Sequence, residues 1–475
     1  MRARIEWTTT EERELVVEEA VGLLERMGMR FGHGRALETL ADAGATVDRD
    51  LGMARIPRSL VEQALATMPR NYTLGGATPG KDCTLDGDIH FLNSGQASRT
   101  VDFETGVYRP TTVADLRKAL TVLDSTPSVD IIWPIVAGND CAPERRIVAE
   151  IAASLSSTSK HLQVQIEDVS QVAPILRMIE VVSGDLESSR GRPRVSFVTT
   201  TASPMQVHSP ALDACVEMAV HGLPVNILSM PTTGGTAPVT VAGAVVMNVA
   251  EFLGAATAVQ LSCPGAPLMM GACAGVLDMR TTTFSFAALE AGQTSAACVE
   301  VAHHLGVPAL APALATDAKY AGVQAGFEKA LKGLVVASSG ADLMTGGIGL
   351  LSGAGILSLP QIVVDDEIAQ MIKRILGEVE ISPTTAMADM IERAGFAGEY
   401  LREKETRRRV RAGEQFLPTI ASRLSFEKWQ EVGRTEYDVA CERVRETLAL
   451  ADERGPLLTA DQQRELDAIT ASVSV

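Results

Sequence analysis

The sequence predicts an α/β fold, a TIM (β/α)8 barrel with a helical N-terminal layer and a helical C-terminal extension. From Thr111 onward, short apolar segments alternate with segments of helical periodicity, which indicates parallel strands joined by helical crossovers. Together with the earlier segment that begins at Ile89, eight strand-like segments occur within roughly 280 residues, and TIM barrels usually span ~250 residues.

An open, doubly wound sheet is the competing arrangement. Such sheets commonly carry GxGxxG after the first strand, and neither this motif nor a P-loop occurs in the sequence. Hydrophobic residues make up 46% of the chain but aromatic residues only 4%, so the core is predicted to be aliphatic and rich in Ala and Gly. This composition suits tight packing of helices on strands, and we favour the barrel.

Three regions are predicted along the chain. Residues 1–82 form the N-terminal helical layer, and residues 83–376 form the barrel, which begins with small hairpins over 83–109. Residues 377–475 are charged and helical, and form an extension that wraps the barrel or builds an oligomer contact. The helical patterns of the N-terminal layer lie in Thr9–Gly28, Arg35–Ala41 and Arg58–Met68.

Each predicted strand is a short apolar run that ends in small or polar residues. In chain order these segments are IHFLNSG, VDIIWPIVAG, KHLQVQI, PRVSFVTTT, PVNILSMP, PLMMGACAGV, VPALAPALAT and ADLMTGGIGL. Helical patterns such as ERRIVAEIAASLSS separate them. Because the carboxyl ends of barrel strands meet at one mouth, the polar stretches Asn226–Thr240 and Ala313–Glu328 are predicted to carry the chemistry.

Composition excludes several other classes of protein. A net charge of −17 argues against a nucleic-acid partner, which needs clustered Lys and Arg. No window has the ~20 unbroken apolar residues of a membrane helix, and the N-terminus lacks the apolar run of a secretory signal, so we expect a cytoplasmic protein. The seven cysteines are scattered without a CxxC pair and are predicted to be reduced thiols.

Several motifs resemble the trimethylamine methyltransferase family between about Ile89 and Arg374. They are SRTVDFETGVYRPTTVADL, STSKHLQVQ, SMPTTGGTAPVTVAGA, PGAPLMMG with LDMRT, and TDAKYAGVQAGFEK. The resemblance implies a TIM-barrel enzyme that passes a methyl group from a methylated amine to the cobalt of a separate corrinoid protein. It therefore implies no permanently bound cofactor, and cob(I)alamin supplied by that partner.

The resemblance also bears on the substrate. Members of the family that use trimethylamine carry pyrrolysine in the barrel, whereas every residue here is standard. Relatives without pyrrolysine use quaternary amines such as glycine betaine, proline betaine or carnitine, and this chain resembles them. Where many relatives have Pro and Asp before Gln-Ala-Gly, this chain has Tyr320 to Val323, so its substrate could differ.

The implied reaction needs little acid–base chemistry, because a quaternary ammonium that loses a methyl group releases a neutral tertiary amine without protonation. We assign no catalytic residue, and interpret His161 and His208 as structural. No cysteine stands two residues after a histidine, as zinc-dependent corrinoid methyltransferases require, so no metal is predicted. Asp88 and His90 begin a cobalt-ligating Asp-x-His-x-x-Gly motif, but Asn93 replaces the glycine, so the corrinoid must come from a partner.

A pocket for a quaternary ammonium would be lined by aromatic faces, each contributing ~0.5–2 kcal/mol. For any one aromatic residue the alternative is that it fills the barrel core. The aromatic candidates are Phe91, Trp133, Phe197 and Tyr320, with Phe284 and Phe286 after the sixth strand.

Polar candidates follow the seventh strand. Asp317 could face the ammonium and Lys319 a betaine carboxylate, or the two could form a loop ion pair or a helix cap. Gln324 and Glu328 are spaced i, i+4 on one helix face, so Gln324 could reach the mouth while Glu328 is expected to be an exposed charge.

Two further groups of candidates lie near the fifth and sixth strands. Arg280 could hold a carboxylate in bidentate fashion, or pair internally with Asp278. Gly234, Gly235 and Thr236 form an open rim that could admit the face of a corrin ring, or they form a tight loop before a helix.

Two other functions stay open from the residues. The first is a non-catalytic barrel that binds a betaine or another amine, which the altered segment after Lys319 would allow. The second is a lyase or aldolase that uses Lys319 as a Schiff base. Whatever the function, the Ala- and Gly-rich helices and the C-terminal extension predict a homo-oligomer.

Overall fold

The computed structural model describes residues 3–396 and 398–473, and its centre is a closed barrel of eight parallel strands. The barrel strands are β1 (His90–Leu92), β2 (Val129–Ile132), β3 (His161–Gln165), β4 (Val195–Thr200), β5 (Val225–Ser229), β6 (Leu268–Ala272), β7 (Ala309–Pro312) and β8 (Leu343–Thr345). They are arranged in chain order, and β8 pairs with β1. The predicted TIM barrel and its eight strands are confirmed.

A long helix follows each strand and packs on the outside of the barrel. These helices are α1 (Val113–Ser125), α2 (Pro143–Ser157), α3 (Val172–Ser183), α4 (Ser209–Val220), α5 (Val241–Ser262), α6 (Leu289–His304), α7 (Val323–Ser338) and α8 (Leu359–Leu376). Local signals set several of their starts: Thr112 and Asp115 form a capping box at α1, and the Thr240 side chain accepts from Gly243 N at α5.

The N-terminal residues cover one side of the barrel. Helices Thr10–Arg26, Arg35–Asp42 and Arg58–Thr67 pack against α5. Helix α5 is apolar on all sides because it lies between this layer and the barrel strands. It is long and apolar enough to cross a membrane, but 72% of its most apolar window is buried inside the protein, as in a core helix.

The C-terminal residues run along the opposite side. In the described part of this region, four short helices have no buried residue: Pro383–Ala386, Ala388–Ala394, Lys404–Arg411 and Phe426–Val432. Helix Glu436–Arg454 packs on α8 and α1, and Ala460–Ser472 packs on α3 and α2. The division at residues 82 and 376 stays a prediction.

Side chains on the barrel strands alternate between two environments. On β4, Val195 and Phe197 belong to the large apolar core between strands and helices, whereas Val198 belongs to a separate apolar cluster in the barrel lumen. The lumen cluster takes one residue from most strands: Leu92, Ile131, Val198, Leu228, Met269, Leu310 and Leu343. At the amino-terminal ends of the strands, the hairpin Thr73–Leu74 with Cys83–Thr84 covers this lumen.

We expect Gly271→Ala on β6 to destabilise the barrel, because the added Cβ would lie 2.5 Å from Cδ1 and 2.9 Å from Cα of Leu228. Overpacking of this kind lowers the free energy of unfolding by about 1–3 kcal/mol. Gly326 on α7 is the matched control, since its added Cβ meets no described atom within 4 Å. Gly326→Ala should raise the free energy by about 0.5–1 kcal/mol through helix propensity. Denaturant unfolding measures both changes, and an unchanged midpoint for Gly271→Ala would contradict the packing argument.

Candidate active site

Two small sheets flank the mouth at the carboxyl ends of the strands. Loops after β1 and β8 form a four-stranded sheet from Arg99–Val101, Tyr108–Pro110, Leu350–Leu351 and Ile356–Leu357. Loops after β5 and β6 form a three-stranded sheet from Thr232–Thr233, Gly275–Asp278 and Thr283–Ser285. The mouth is therefore built from paired loops, which restricts their movement.

Asp317, in the loop after β7, connects this loop to the sheet of the β5 and β6 loops. Its Oδ1 accepts from Phe286 N at 3.1 Å, and its Oδ2 accepts from the Ser285 hydroxyl. Both carboxylate oxygens therefore already have partners within the protein. Of the alternatives for Asp317, the loop ion pair with Lys319 is not the one the structure contains, and Asp317 positions Phe286.

The same loop also contacts the other sheet, because Ser352 N donates to Ala318 O at 2.8 Å and Gly353 N donates to Thr316 O at 2.9 Å. Glu328, on α7, also fixes this loop, because its carboxylate accepts hydrogen bonds from Thr316 and Asp317.

Glu328 accepts from the Thr316 hydroxyl, from Asp317 N at 2.9 Å and from Gln324 Nε2 at 2.8 Å. Its side chain is half-buried. Glu328 was expected to be an exposed charge, and this expectation was wrong because Glu328 accepts from the Asp317 N–H and the Thr316 hydroxyl of the loop. Gln324 is exposed and its amide is directed to Glu328.

Two aromatic side chains face the upper lumen. Trp133 and Phe286 are each 5% exposed and belong to the lumen cluster. Lys332 Nζ donates to Phe286 O at 2.5 Å and lies 4.7 Å from the centroid of its ring. Burial lowers the pKa of Lys332 to about 8. Phe284 lies beside Phe286, with ring centroids 5.7 Å apart, and is partly exposed.

Two other aromatic candidates do not reach the lumen. Phe91 and Phe197 are fully buried in the core between strands and helices. The Lys373 ammonium lies 5.2 Å from the Phe91 ring centroid and 3.2 Å from Asp130. This placement corrects the expectation that Phe91 and Phe197 line a substrate pocket: each points outward because of its position in the strand alternation.

The remaining polar and aromatic candidates lie exposed at the rim. Tyr320 is 74% exposed, and the exposed Lys319 donates from Nζ to Asp317 O at 2.8 Å. Arg280 pairs with Asp278 through Nη2–Oδ2 at 2.8 Å and Nε–Oδ1 at 3.2 Å. The pair lowers the pKa of Asp278 to about 2. Of the two alternatives for Arg280, the structure therefore contains the internal ion pair with Asp278.

The rim glycines lie in a tight loop after β5. Gly234 has φ +79°, a conformation that favours glycine, and the Met279 side chain packs against it. Thr236 Oγ1 accepts from Thr232 N at 3.0 Å. Gly235 and Thr236 are exposed. The loop presents backbone rather than long side chains, and its contact with a corrin ring stays a prediction.

The sequence interpretation missed two amides inside the barrel. Gln163 on β3 and Asn226 on β5 are each 2% exposed and face the lumen by alternation. Within the described residues, Gln163 Nε2, both amide atoms of Asn226 and Trp133 Nε1 have no hydrogen-bond partner. The sequence signal that could have identified them is an amide side chain in the middle of an otherwise apolar strand, as in HLQVQ and VNILS.

His161 closes the lumen below these amides. Its Nδ1 lies 3.1 Å from Gly75 O and its Nε2 lies 2.8 Å from Ser196 Oγ. Because a carbonyl can only accept, Nδ1 carries the proton and Nε2 accepts from the serine hydroxyl. Burial lowers the pKa of His161 to about 4, so the ring is neutral at pH 7. These contacts describe a structural histidine.

A metal site would need clustered His, Cys, Asp or Glu side chains. Within residues 3–396 and 398–473, no group of three His, Cys, Asp or Glu side chains is placed to hold a metal ion. All seven cysteines lie in the described chain and are free thiols.

The closed barrel, with two aromatic side chains in its upper lumen and interlocked loops at the carboxyl ends of its strands, has the architecture of a barrel enzyme. A sequence profile of the trimethylamine methyltransferase family matches residues 2–473. The chain therefore belongs to the trimethylamine methyltransferase family, and it is a methyltransferase.

Curated relatives are similar over most of the chain. Trimethylamine methyltransferase MttB of Desulfitobacterium hafniense (strain DSM 10664 / DCB-2) is 30% identical over 416 residues, 87% of this chain and 83% of that protein. Trimethylamine methyltransferase MttB2 of Methanosarcina mazei is 28% identical, with 97% and 94% covered. Glycine betaine methyltransferase of D. hafniense (strain Y51) is 23% identical, with 89% and 88% covered.

A solved structure supports the fold. The monomethylamine methyltransferase of Methanosarcina barkeri aligns with a TM-score of 0.51 at 12% identity, covering 93% of this chain and 89% of that one. At this identity the likeness concerns the fold alone.

Stability is expected to depend on pH through His161. Its pKa is about 4 in the folded protein, against ~6.5 in an unfolded chain. Between these values the unfolded state binds more protons at this residue, so the contribution of His161 to the free energy of unfolding falls as the pH is lowered, by on the order of 3 kcal/mol over the window. Unfolding curves between pH 4 and 7 measure this slope.

His161→Gln should make the slope shallower than in the wild type, because the substituted side chain cannot take up a proton in this range. Equal slopes for the wild type and His161→Gln would contradict the assignment.

Proposed function

We propose that this methyltransferase moves a methyl group from a quaternary, betaine-like amine to the cob(I)alamin of a separate corrinoid protein. The observation that carries the proposal is the family match over residues 2–473, with both trimethylamine and glycine betaine enzymes among the relatives. The absence of pyrrolysine from the sequence supports a quaternary amine over trimethylamine.

The upper lumen is the proposed amine pocket. Trp133 and Phe286 offer aromatic faces to a quaternary ammonium, which binds such faces through the ring quadrupole. Phe286 is held at its N–H by Asp317 and at its carbonyl by Lys332. These two bonds fix the main chain from which the ring projects, so less conformational entropy is lost when the amine binds.

Methyl transfer from such a substrate needs orientation more than proton transfer. The nitrogen already carries its positive charge, so the amine leaves without a general acid. When bound, the corrinoid supplies a strong cobalt nucleophile. The residues of this chain hold the methyl–nitrogen bond in line with the mouth and keep water out of the lumen.

The rim is the proposed contact for the corrinoid and for the entering substrate. The backbone at Gly234, Gly235 and Thr236, of which the last two residues are exposed, is the proposed surface for the flat face of the corrin ring. Four exposed side chains, all predicted from the sequence as substrate contacts, line the entrance in this proposal: Arg280, Lys319, Tyr320 and Gln324.

The test is to mix the protein with a reduced corrinoid carrier protein and a panel of amines, and to follow the absorbance change from cob(I)alamin to methylcob(III)alamin. The panel contains glycine betaine, carnitine, proline betaine and trimethylamine. Methylation with a quaternary amine is the expected result. Calorimetric binding of an amine without methylation of any carrier would refute the proposal and favour a non-catalytic amine-binding barrel.

Substitutions in the lumen should weaken amine binding. We expect Trp133→Leu and Phe286→Leu each to raise the Kd of the quaternary amine by about two- to thirty-fold, the range of a lost cation–π contact. Phe197→Leu is the matched control, because Phe197 is fully buried but faces the helices. It should reduce stability and leave the Kd unchanged. A Kd that rises for Phe197→Leu but not for Trp133→Leu would refute the pocket.

A further inference from the structure

The barrel lumen contains a set of polar atoms that the protein leaves without partners. These are Gln163 Nε2, Asn226 Nδ2 and Oδ1, and Trp133 Nε1, and no described atom completes their hydrogen bonds. The three side chains are between 2% and 5% exposed. Buried polar groups are rarely left unpaired in folded proteins, because their desolvation is then uncompensated. An unpaired set in a barrel interior points to a ligand.

The strand register brings these atoms towards each other. Strand β4 lies between β3 and β5. Its Ser196 pairs with Gln163 on β3, and its Val198 pairs with Asn226 on β5. In an eight-stranded barrel with this stagger, inward residues of alternate strands share a layer. Gln163 and Asn226 therefore lie in one layer, which Leu92 and Leu310 complete. The next layer towards the mouth contains Trp133, Val198, Gly271 and Thr345.

The unpaired atoms have a definite hydrogen-bonding character. Three are N–H donors and one, Asn226 Oδ1, is an acceptor. A group that only accepts, with several lone pairs, suits three donors better than a cation does. A carboxylate has two oxygens and about four acceptor sites. It would lie among the amides, below the aromatic faces of Trp133 and Phe286.

We propose that Gln163, Asn226 and the Trp133 indole N–H form a carboxylate-binding site that selects amines carrying an acid group. This inference rests on the proposed function and assigns it new specificity-determining residues. The carboxylate binds in the amide layer, the ammonium lies against the aromatic faces one layer higher, and the methyl groups point to the mouth. A tetraalkylammonium ion without a carboxylate satisfies none of these donors.

The experiment is calorimetric titration of the full-length protein with glycine betaine and with tetramethylammonium. We expect Gln163→Leu and Asn226→Ala each to weaken glycine betaine binding by about ten- to hundred-fold, the range for a lost hydrogen bond to a charged group. Tetramethylammonium binding should change less than twofold. Asn226→Ser restores a donor and should recover part of the loss.

Thr345→Val is the matched control, because Thr345 lies in the adjacent layer but its hydroxyl already donates to Asn93 O at 3.2 Å. It should leave the preference for glycine betaine unchanged. Melting curves identify any variant that does not fold, and Gln163→Leu and Asn226→Ala test the site independently of each other. If both variants keep the wild-type preference, the amides hold only water and the proposal is overturned.

This outcome is separable from failure of the proposed function. Amide-dependent preference for glycine betaine without methylation of any corrinoid carrier would support the binding site and refute the methyl transfer. If the protein transfers methyl groups and neither amide substitution changes its preference for glycine betaine, the methyl transfer is supported and the binding site is refuted.

Discussion

The mouth of the barrel depends on carboxylates that the surrounding helices direct at the loops. Each accepts a hydrogen bond from a loop backbone N–H, which no strand partner would otherwise satisfy. The pairs are Glu150 with Gly138, Glu251 with Met205, Glu328 with Asp317, and Asp365 with Gly349. Burial raises the pKa of Glu150, Glu251 and Asp365. Loops after β2, β4, β7 and β8 are thereby fixed to helices that are themselves packed on the barrel.

One of these carboxylates belongs to a buried ion pair. Lys329 Nζ donates to Asp365 Oδ2 at 2.6 Å and to Gly347 O at 2.7 Å, so the pair joins α7, α8 and the loop after β8. Ion pairs in the interior add little net stability, but removing one partner leaves an unpaired buried charge, which costs about 3–5 kcal/mol. The pair therefore enforces one arrangement of the loop after β8, whereas Phe286 and Asp317 are held separately, through Lys332 and Glu328.

The sequence predicted the barrel because strand and helix periodicities are local, but the direction of each strand side chain is not. Strands of a parallel barrel are apolar on both faces, so the pattern of PRVSFVTTT does not tell whether Phe197 or Val198 faces the lumen. The register settles it, and Phe197 faces the helices. Likewise, the partner of Asp317 is Ser285, 32 residues earlier in the chain, and no spacing rule connects them. The sequence motifs showed which loops form the mouth. The contacts between those loops could not be predicted, because they join residues that are distant in the chain.

Charge offers a reason for neutral amides at the centre of this barrel. An arginine or lysine in the amide layer would need a permanent counter-ion whenever the site was empty, because an isolated buried charge is very costly to desolvate. Gln163 and Asn226 avoid this cost, since an empty site then lacks only hydrogen bonds that water can supply. A betaine brings both charges with it and is neutral overall. Dipolar donors at one end and aromatic faces at the other can hold such a molecule without adding net charge to the core.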